Sequence, residues 1–224
     1  MSFDPDVLRA QANEDARSGR IRNAIAGFEA LVRLRPQDAD AWQGLGLLYM
    51  REQQYARSLD ALSRSATLKP QDPLTQYNLG TLALNLGRLD QADRALRAAI
   101  AQQPDNARAR AALAIVTMRK DPSPAGLAAA EQQADSALRA GPDYATYKTR
   151  GQIYMAERRF QPAIKDFQAA LRLNLRAEST YLLLSQCYAS AGQPDRAART
   201  ASEYQRLFRS SGRPTSNGFG GAAR

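Results

Sequence analysis

A repeat of 34 residues constrains this chain more than any other feature. Pro36, Pro70 and Pro104 stand 34 residues apart. Small residues recur with the same step at Ala12, Gly46, Gly80 and Ala114, then after 37 at Gly151 and after 34 again at Ser185. A third series, Ala24, Ser58, Ala92, Ala130, Ala163 and Ala197, is small throughout. Fixed-period self-similarity of this length is the mark of stacked supersecondary units that cannot bury their apolar faces alone. Small residues on two helices let the backbones approach, and leucines and aromatics at helical spacing fill the seam. A proline after each second helix stops it. Asp4 followed by Pro5 is a helix start, with a capping side chain and proline at the first helical position.

The residues at these positions resemble the tetratricopeptide repeat, a helix-turn-helix unit. The second repeat reads Trp42, Leu45, Gly46, Tyr49, Tyr55, Leu62 and Pro70, and the third Leu79, Gly80, Gly87, Ala92, Leu96, Ala99 and Pro104. The fifth gives Tyr147, Gly151, Tyr154, Phe160, Ala163, Phe167 and Ala170, and the sixth Tyr181, Leu184, Tyr188, Gly192 and Ala197. The resemblance implies an all-α, right-handed superhelical solenoid over residues 5–209. Its repeats would span 5–38, 39–72, 73–106, 107–143, 144–177 and 178–209, followed by a flexible tail over 210–224 rich in glycine and serine. Three departures carry expectations. Gln11 and Asp15 replace apolar residues in the first repeat and predict a wet, capping outer face. The fourth repeat is lengthened by a turn over 120–126. Leu175 replaces proline in the fifth and predicts a longer helix there.

Composition narrows the function. There is no histidine, which removes the commonest general base and metal ligand together. The single cysteine, Cys187, falls at a packing position filled elsewhere by Leu48, Leu82, Val116 and Ile153. No activated nucleophile, metal set or phosphate-binding glycine motif is evident, so neither an enzyme nor a cofactor is expected. No stretch reaches the length of an apolar membrane span, and the first six residues lack the character of a secretory signal, so the expected location is cytoplasmic. The net charge of +9 is uneven. Residues 1–140 hold 18 Lys+Arg against 16 Asp+Glu, and residues 141–224 hold 13 against 6. A basic C-terminal half is suited to an acidic protein, a nucleic acid or an anionic surface, or is simply well solvated.

Proteins of this family usually bind in the concave groove lined by the first helix of each repeat. Carried over by position, the groove residues are Arg9 and Asn13, then Gln43, then Tyr77, Asn78, Thr81 and Asn85. Arg108 follows in the fourth repeat, Lys148, Thr149 and Gln152 in the fifth, and Gln186 in the sixth. Such a lining of amides, hydroxyls and cations suits an extended protein segment, acidic or ending in a free carboxylate. The five-residue carboxylate clamp of some family members is not reproduced. Gly44, Leu74 and Asn78 break it in one register, and Gln43, Leu47 and Ala112 break it in the other. Tyr204, Leu207 and Phe208, on a last helix with no covering helix after it, form a candidate self-association surface, or fold back on their own repeat. The expected role is a scaffold or adaptor binding a partner protein. The competing readings are nucleic-acid binding through the basic surface and a regulatory or assembly module of a secretion or polysaccharide-synthesis complex. Exposed aromatics interleaved with cations, which single-stranded nucleic-acid binders use, are not evident.

Overall fold

The computed structural model describes residues 4–209, apart from the side chain of Arg209. The expected tail over 210–224 lies outside the described residues. All regular structure among them is helical, and it falls into two compact units divided after Gly141. Unit 1 holds α1 (Pro5–Arg17), α2 (Ile21–Leu34), α3 (Ala39–Arg51), α4 (Tyr55–Leu68), α5 (Pro73–Asn85), α6 (Leu89–Gln102), α7 (Ala107–Lys120) and α8 (Pro124–Ala140). Unit 2 holds α9 (Tyr144–Ala156), α10 (Phe160–Leu173), α11 (Glu178–Ser190) and α12 (Pro194–Arg209).

The period is written into the helix ends. The first helices of repeats one to five begin on Asp4, Asp38, Asp72, Asn106 and Asp143, whose side chains accept backbone N–H bonds from the first turn. The second helices α2, α4, α6 and α10 carry no side-chain cap. Each instead follows a tight turn that closes by a backbone bond, such as Arg88 N to Ala83 O at 2.8 Å. The turn needs a positive φ at one residue. Glycine supplies it at Gly19, Gly87 and Gly192, whereas Gln53 and Arg158 adopt φ of 58° with a side chain attached. The prolines do more than stop helices. Their carbonyls accept bonds from the side chain six residues on: Trp42 Nε1 to Pro36 at 2.9 Å, Gln76 Nε2 to Pro70 at 3.2 Å, and Arg110 Nε to Pro104 at 2.7 Å.

Packing within each helix pair follows a small-against-large rule. A methyl group on Gly46 would lie 2.7 Å from Leu62 Cγ, on Gly80 2.6 Å from Leu96 Cγ, and on Gly151 2.7 Å from a ring carbon of Phe167. The fourth repeat keeps the register with two medium residues, Ala114 and Ala134, both fully buried. Successive pairs of unit 1 are joined by two apolar clusters, one over α1–α4 and one over α4–α7, and unit 2 has its own over α9–α12. Cys187 lies inside the last of these, and burial pushes its thiol up to about 11.

Three local expectations need correction. Gln11 is exposed, but Asp15 is only 6 % exposed. It is held by Arg20 Nε at 2.7 Å and Gln11 at 3.3 Å, so an ion pair rather than water meets it. The turn of the fourth repeat covers only Asp121–Ser123, because the extra residues lengthen α8 to 17 residues. Finally, α10 is no longer than α2 or α4. Asn174 Oδ1 accepts from Arg176 N at 3.1 Å, so an asparagine turn ends the helix where proline does elsewhere.

The carboxylates fix how stability responds to acid. Glu29 is held below its ordinary value chiefly by the hydrogen bond from the Tyr49 hydroxyl, with Arg57 adding to it. For Asp72 the largest influence is burial, which raises it, but the Thr75 hydroxyl and the N–H groups of Thr75 and Leu74 outweigh burial and lower it. A carboxyl lowered in the folded state binds protons more readily when unfolded. Its contribution is therefore complete above the unfolded pKa and is lost as pH falls through the folded one. With no histidine to titrate, the melting temperature is expected to be flat from roughly pH 6 to 8 and to fall below about pH 4.5. A pH series of thermal melts checks this, and a steep change between pH 6 and 7 would contradict it.

Candidate functional site

The first helix of each pair presents the candidate groove residues. In unit 1 these are Arg9 and Asn13 on α1, Gln43 on α3, Tyr77, Asn78, Thr81 and Asn85 on α5, and Arg108 on α7. In unit 2 they are Lys148, Thr149 and Gln152 on α9 and Gln186 on α11. First helices also touch one another, α5 with α7 and α9 with α11, so their free faces adjoin within each unit.

The structure sorts this set into residues already engaged and residues left open. Arg9 pairs with Asp38, the capping residue of α3. Gln43 donates to Asp72, the cap of α5, at 2.6 Å, and also to the Thr75 hydroxyl. Both ties step 29 residues, from mid-helix in one repeat to the cap of the next first helix, and both hold unit 1 together. Lys148 Nζ donates to Ser179 Oγ at 2.9 Å and lies 5.8 Å from the centre of the Tyr144 ring. The Thr81 hydroxyl returns to its own helix, donating to the carbonyls of Tyr77 at 3.0 Å and Asn78 at 3.1 Å. Thr149 is only 7 % exposed and so presents no surface group. Its place on α9 faces packing, because the helix turns the neighbouring Lys148 and Gln152 outward instead.

The open groups are amides. Asn78 is half-buried, Asn13 and Asn85 are exposed, and their side chains bond no other described residue. In unit 2 the same holds for half-buried Gln152 and exposed Gln186. Tyr77 is half-buried against the α4–α7 cluster, and Arg108 is exposed.

Sequence reasoning left out two contributors. Leu74, 54 % exposed, opens the α5 row that continues through Tyr77, Asn78, Thr81 and Asn85 at helical spacing. Its signal was its register, one repeat beyond Asp40. The first helices also carry carboxylates, with Asp6 bonded to Arg35 at 2.7 Å and Asp40 to Lys69 at 3.2 Å. For Asp6 the Arg35 hydrogen bond is the main reason its carboxyl is lowered. These two acids are balanced within the chain, each again by a residue 29 positions on.

At the end of unit 2, Tyr204 and Phe208 pack back onto the local core. The Phe208 ring meets Tyr181 edge-on at 6.1 Å and Tyr204 at 5.1 Å, and the Tyr204 hydroxyl donates to Glu178 at 2.5 Å. Leu207 beside them remains exposed. No group of His, Cys, Asp or Glu among the described residues is arranged to hold a metal ion, and no described helix is long and apolar enough to cross a membrane.

Comparison with known proteins matches this architecture. The tetratricopeptide repeat family matches residues 9–73 and 148–212 through one of its models and residues 49–116 through another. Superkiller protein 3 of Schizosaccharomyces pombe is 36 % identical over 69 residues, 31 % of this chain and 5 % of that protein. The peroxisomal targeting signal receptor of Kluyveromyces lactis is 27 % identical over 118 residues, 51 % of this chain and 21 % of the receptor. The chain thus spans a small part of these relatives. Among solved structures, PilW, a widely conserved type IV pilus biogenesis factor, superposes with a TM-score of 0.76 at 18 % identity, over 93 % of this chain and 96 % of PilW. That likeness is one of fold.

Proposed function

Because this chain belongs to the tetratricopeptide repeat family, we propose that it is a protein-binding scaffold whose unit 1 captures an extended segment of a partner along α5 and α7. The supporting observation is the α5 row, in which the open amides of Asn78 and Asn85 stand beside exposed Leu74 and half-buried Tyr77. An amide side chain offers a donor and an acceptor together, which is what an extended backbone presents in return. Leu74 and Tyr77 supply apolar surface for one or two partner side chains, and Arg108 favours a segment with acidic character. Arg9 and Gln43 stay with their caps and take no part. A relative named as a receptor for a targeting signal makes peptide capture a reasonable inheritance.

The test is affinity capture from the source lysate at low and high salt, with Asn78→Ala/Asn85→Ala in parallel. One protein should be retained at both salts and lost with the variant, and the purified pair should then bind at least about tenfold more weakly through the variant. If capture yields only nucleic acid, eluted by salt whatever stands at 78 and 85, the basic surface is the binding element and the proposal fails.

A further inference from the structure

On unit 1, α6, α7 and α8 enclose an open groove of about 430 Å³, within the size range of ligand sites. Ile100 and Ala101 of α6 and Leu113 of α7 form an apolar floor, with Arg97, Arg110 and Gln133 around it. A groove of comparable size, about 370 Å³, recurs one repeat earlier, and the repeat register shows how the two differ in lining. One repeat earlier, between α4, α5 and α6, Ser63 and Gln76 hold the places of Arg97 and Arg110. There Gln91 donates to Ser63 Oγ at 3.1 Å and bridges the groove. In the later groove Ala129 takes the register of Gln91 and can make no bridge.

The two arginines are held in a way that leaves their outer ends available. Arg110 Nε donates to Pro104 O at 2.7 Å, and Arg97 Nε to Asp93 Oδ2 at 3.0 Å. The terminal nitrogens of both guanidinium groups bond no other described residue. Asp93 balances one of the two positive charges, so the rim keeps an excess cation and two planar forks suited to a carboxylate. An exposed ion pair alone is weak, so an occupant must also bury apolar surface on the floor.

We propose that this groove is a second docking site, which takes a segment of another protein presenting a glutamate or aspartate beside aliphatic side chains. A protein segment supplies the carboxylate and the apolar contact from one backbone. The site is independent of the α5 row and stands or falls separately from it.

The probe is a blocked ten-residue peptide with a central Leu-Glu-Leu, titrated into the full chain and followed by methyl NMR. Saturable shifts are expected at Ile100 and Leu113. The same peptide with Gln for Glu should bind at least about tenfold more weakly. The variant R97S/R110Q restores the residues of the preceding repeat, and the glutamine introduced by R110Q can keep the bond to Pro104 as Gln76 keeps its bond to Pro70. This variant should retain its circular dichroism and lose at least about tenfold in affinity, while Asn78→Ala/Asn85→Ala should bind as the parent does. Equal binding of the Glu and Gln peptides, unchanged binding by R97S/R110Q, or no shift at Ile100 and Leu113 up to millimolar peptide would overturn the proposal. Displacement by sodium hexanoate at comparable affinity would also overturn it, in favour of a small free acid.

Discussion

Leu96→Ala is expected to destabilise unit 1 by about 2–5 kcal/mol, through lost burial and the cavity left behind. Leu96 is fully buried, and its Cγ fills the space that a side chain on Gly80 would claim. Gly80→Ala alone should cost about 1–3 kcal/mol from overpacking, partly offset by the roughly 1 kcal/mol that alanine gains over glycine inside a helix. The decisive measurement is the double variant. Gly80→Ala/Leu96→Ala recreates the Ala114 and Ala134 pairing of the fourth repeat, and the new methyl enters the cavity that Leu96 vacates. Urea unfolding should find the double variant more stable than Leu96→Ala, with a coupling of about 1–3 kcal/mol. Strict additivity would show that the small-against-large rule is coincidence.

Asp166→Ala should be comparably severe in unit 2, at about 2–4 kcal/mol. Its carboxylate takes two bonds from Arg150, Nε at 2.7 Å and Nη2 at 2.9 Å, with side-chain exposures of 25 % for Arg150 and 7 % for Asp166. Removing the acid takes away the carboxylate that balances a largely buried guanidinium, whose ring contact with Tyr154 at 5.5 Å carries no compensating charge. The register shows how to repair the damage. Other repeats place Leu45 with Ala61 and Leu79 with Ala95 at these two positions, all buried. Arg150→Leu/Asp166→Ala is therefore expected to return to within about 1 kcal/mol of the parent, since a buried ion pair seldom outperforms apolar residues of similar volume. Thermal unfolding of the parent and the two variants checks it. A double variant as weak as Asp166→Ala would mean that the pair does something leucine and alanine cannot.

The fold was legible because its information is local and repeated. Pro36, Pro70 and Pro104 set the period, and the small series at Gly46, Gly80 and Gly151 marked the close approaches that the structure contains. Position alone could nominate the first-helix residues but could not say which were already engaged. Arg9 and Gln43 looked like groove residues until their partners emerged 29 positions away, on helix caps. That relation was present in the sequence as the recurrence of Asp38 and Asp72, but it becomes visible only when caps are read as acceptors for the preceding repeat. Thr149 was misplaced for a simpler reason: a threonine beside Lys148 is equally suited to either side of a helix, and packing decides. Asn174 shows the limit of reading by residue type, because an asparagine turn ends α10 where the repeat pattern elsewhere places a proline.

The tie between Trp42 and Pro36 gives the molecule an internal reporter. Trp42 is the only tryptophan in the chain, half-buried on α3, with Arg64 lying 5.0 Å from its ring. Its emission therefore follows unit 1 alone, whereas Tyr144, Tyr147, Tyr154, Tyr181, Tyr188 and Tyr204 all belong to unit 2. Two optical channels, one confined to unit 1 and one weighted toward unit 2, can be read in a single melt without attaching a label. Whether the halves lose structure together or in sequence then becomes a comparison of two curves from one cuvette.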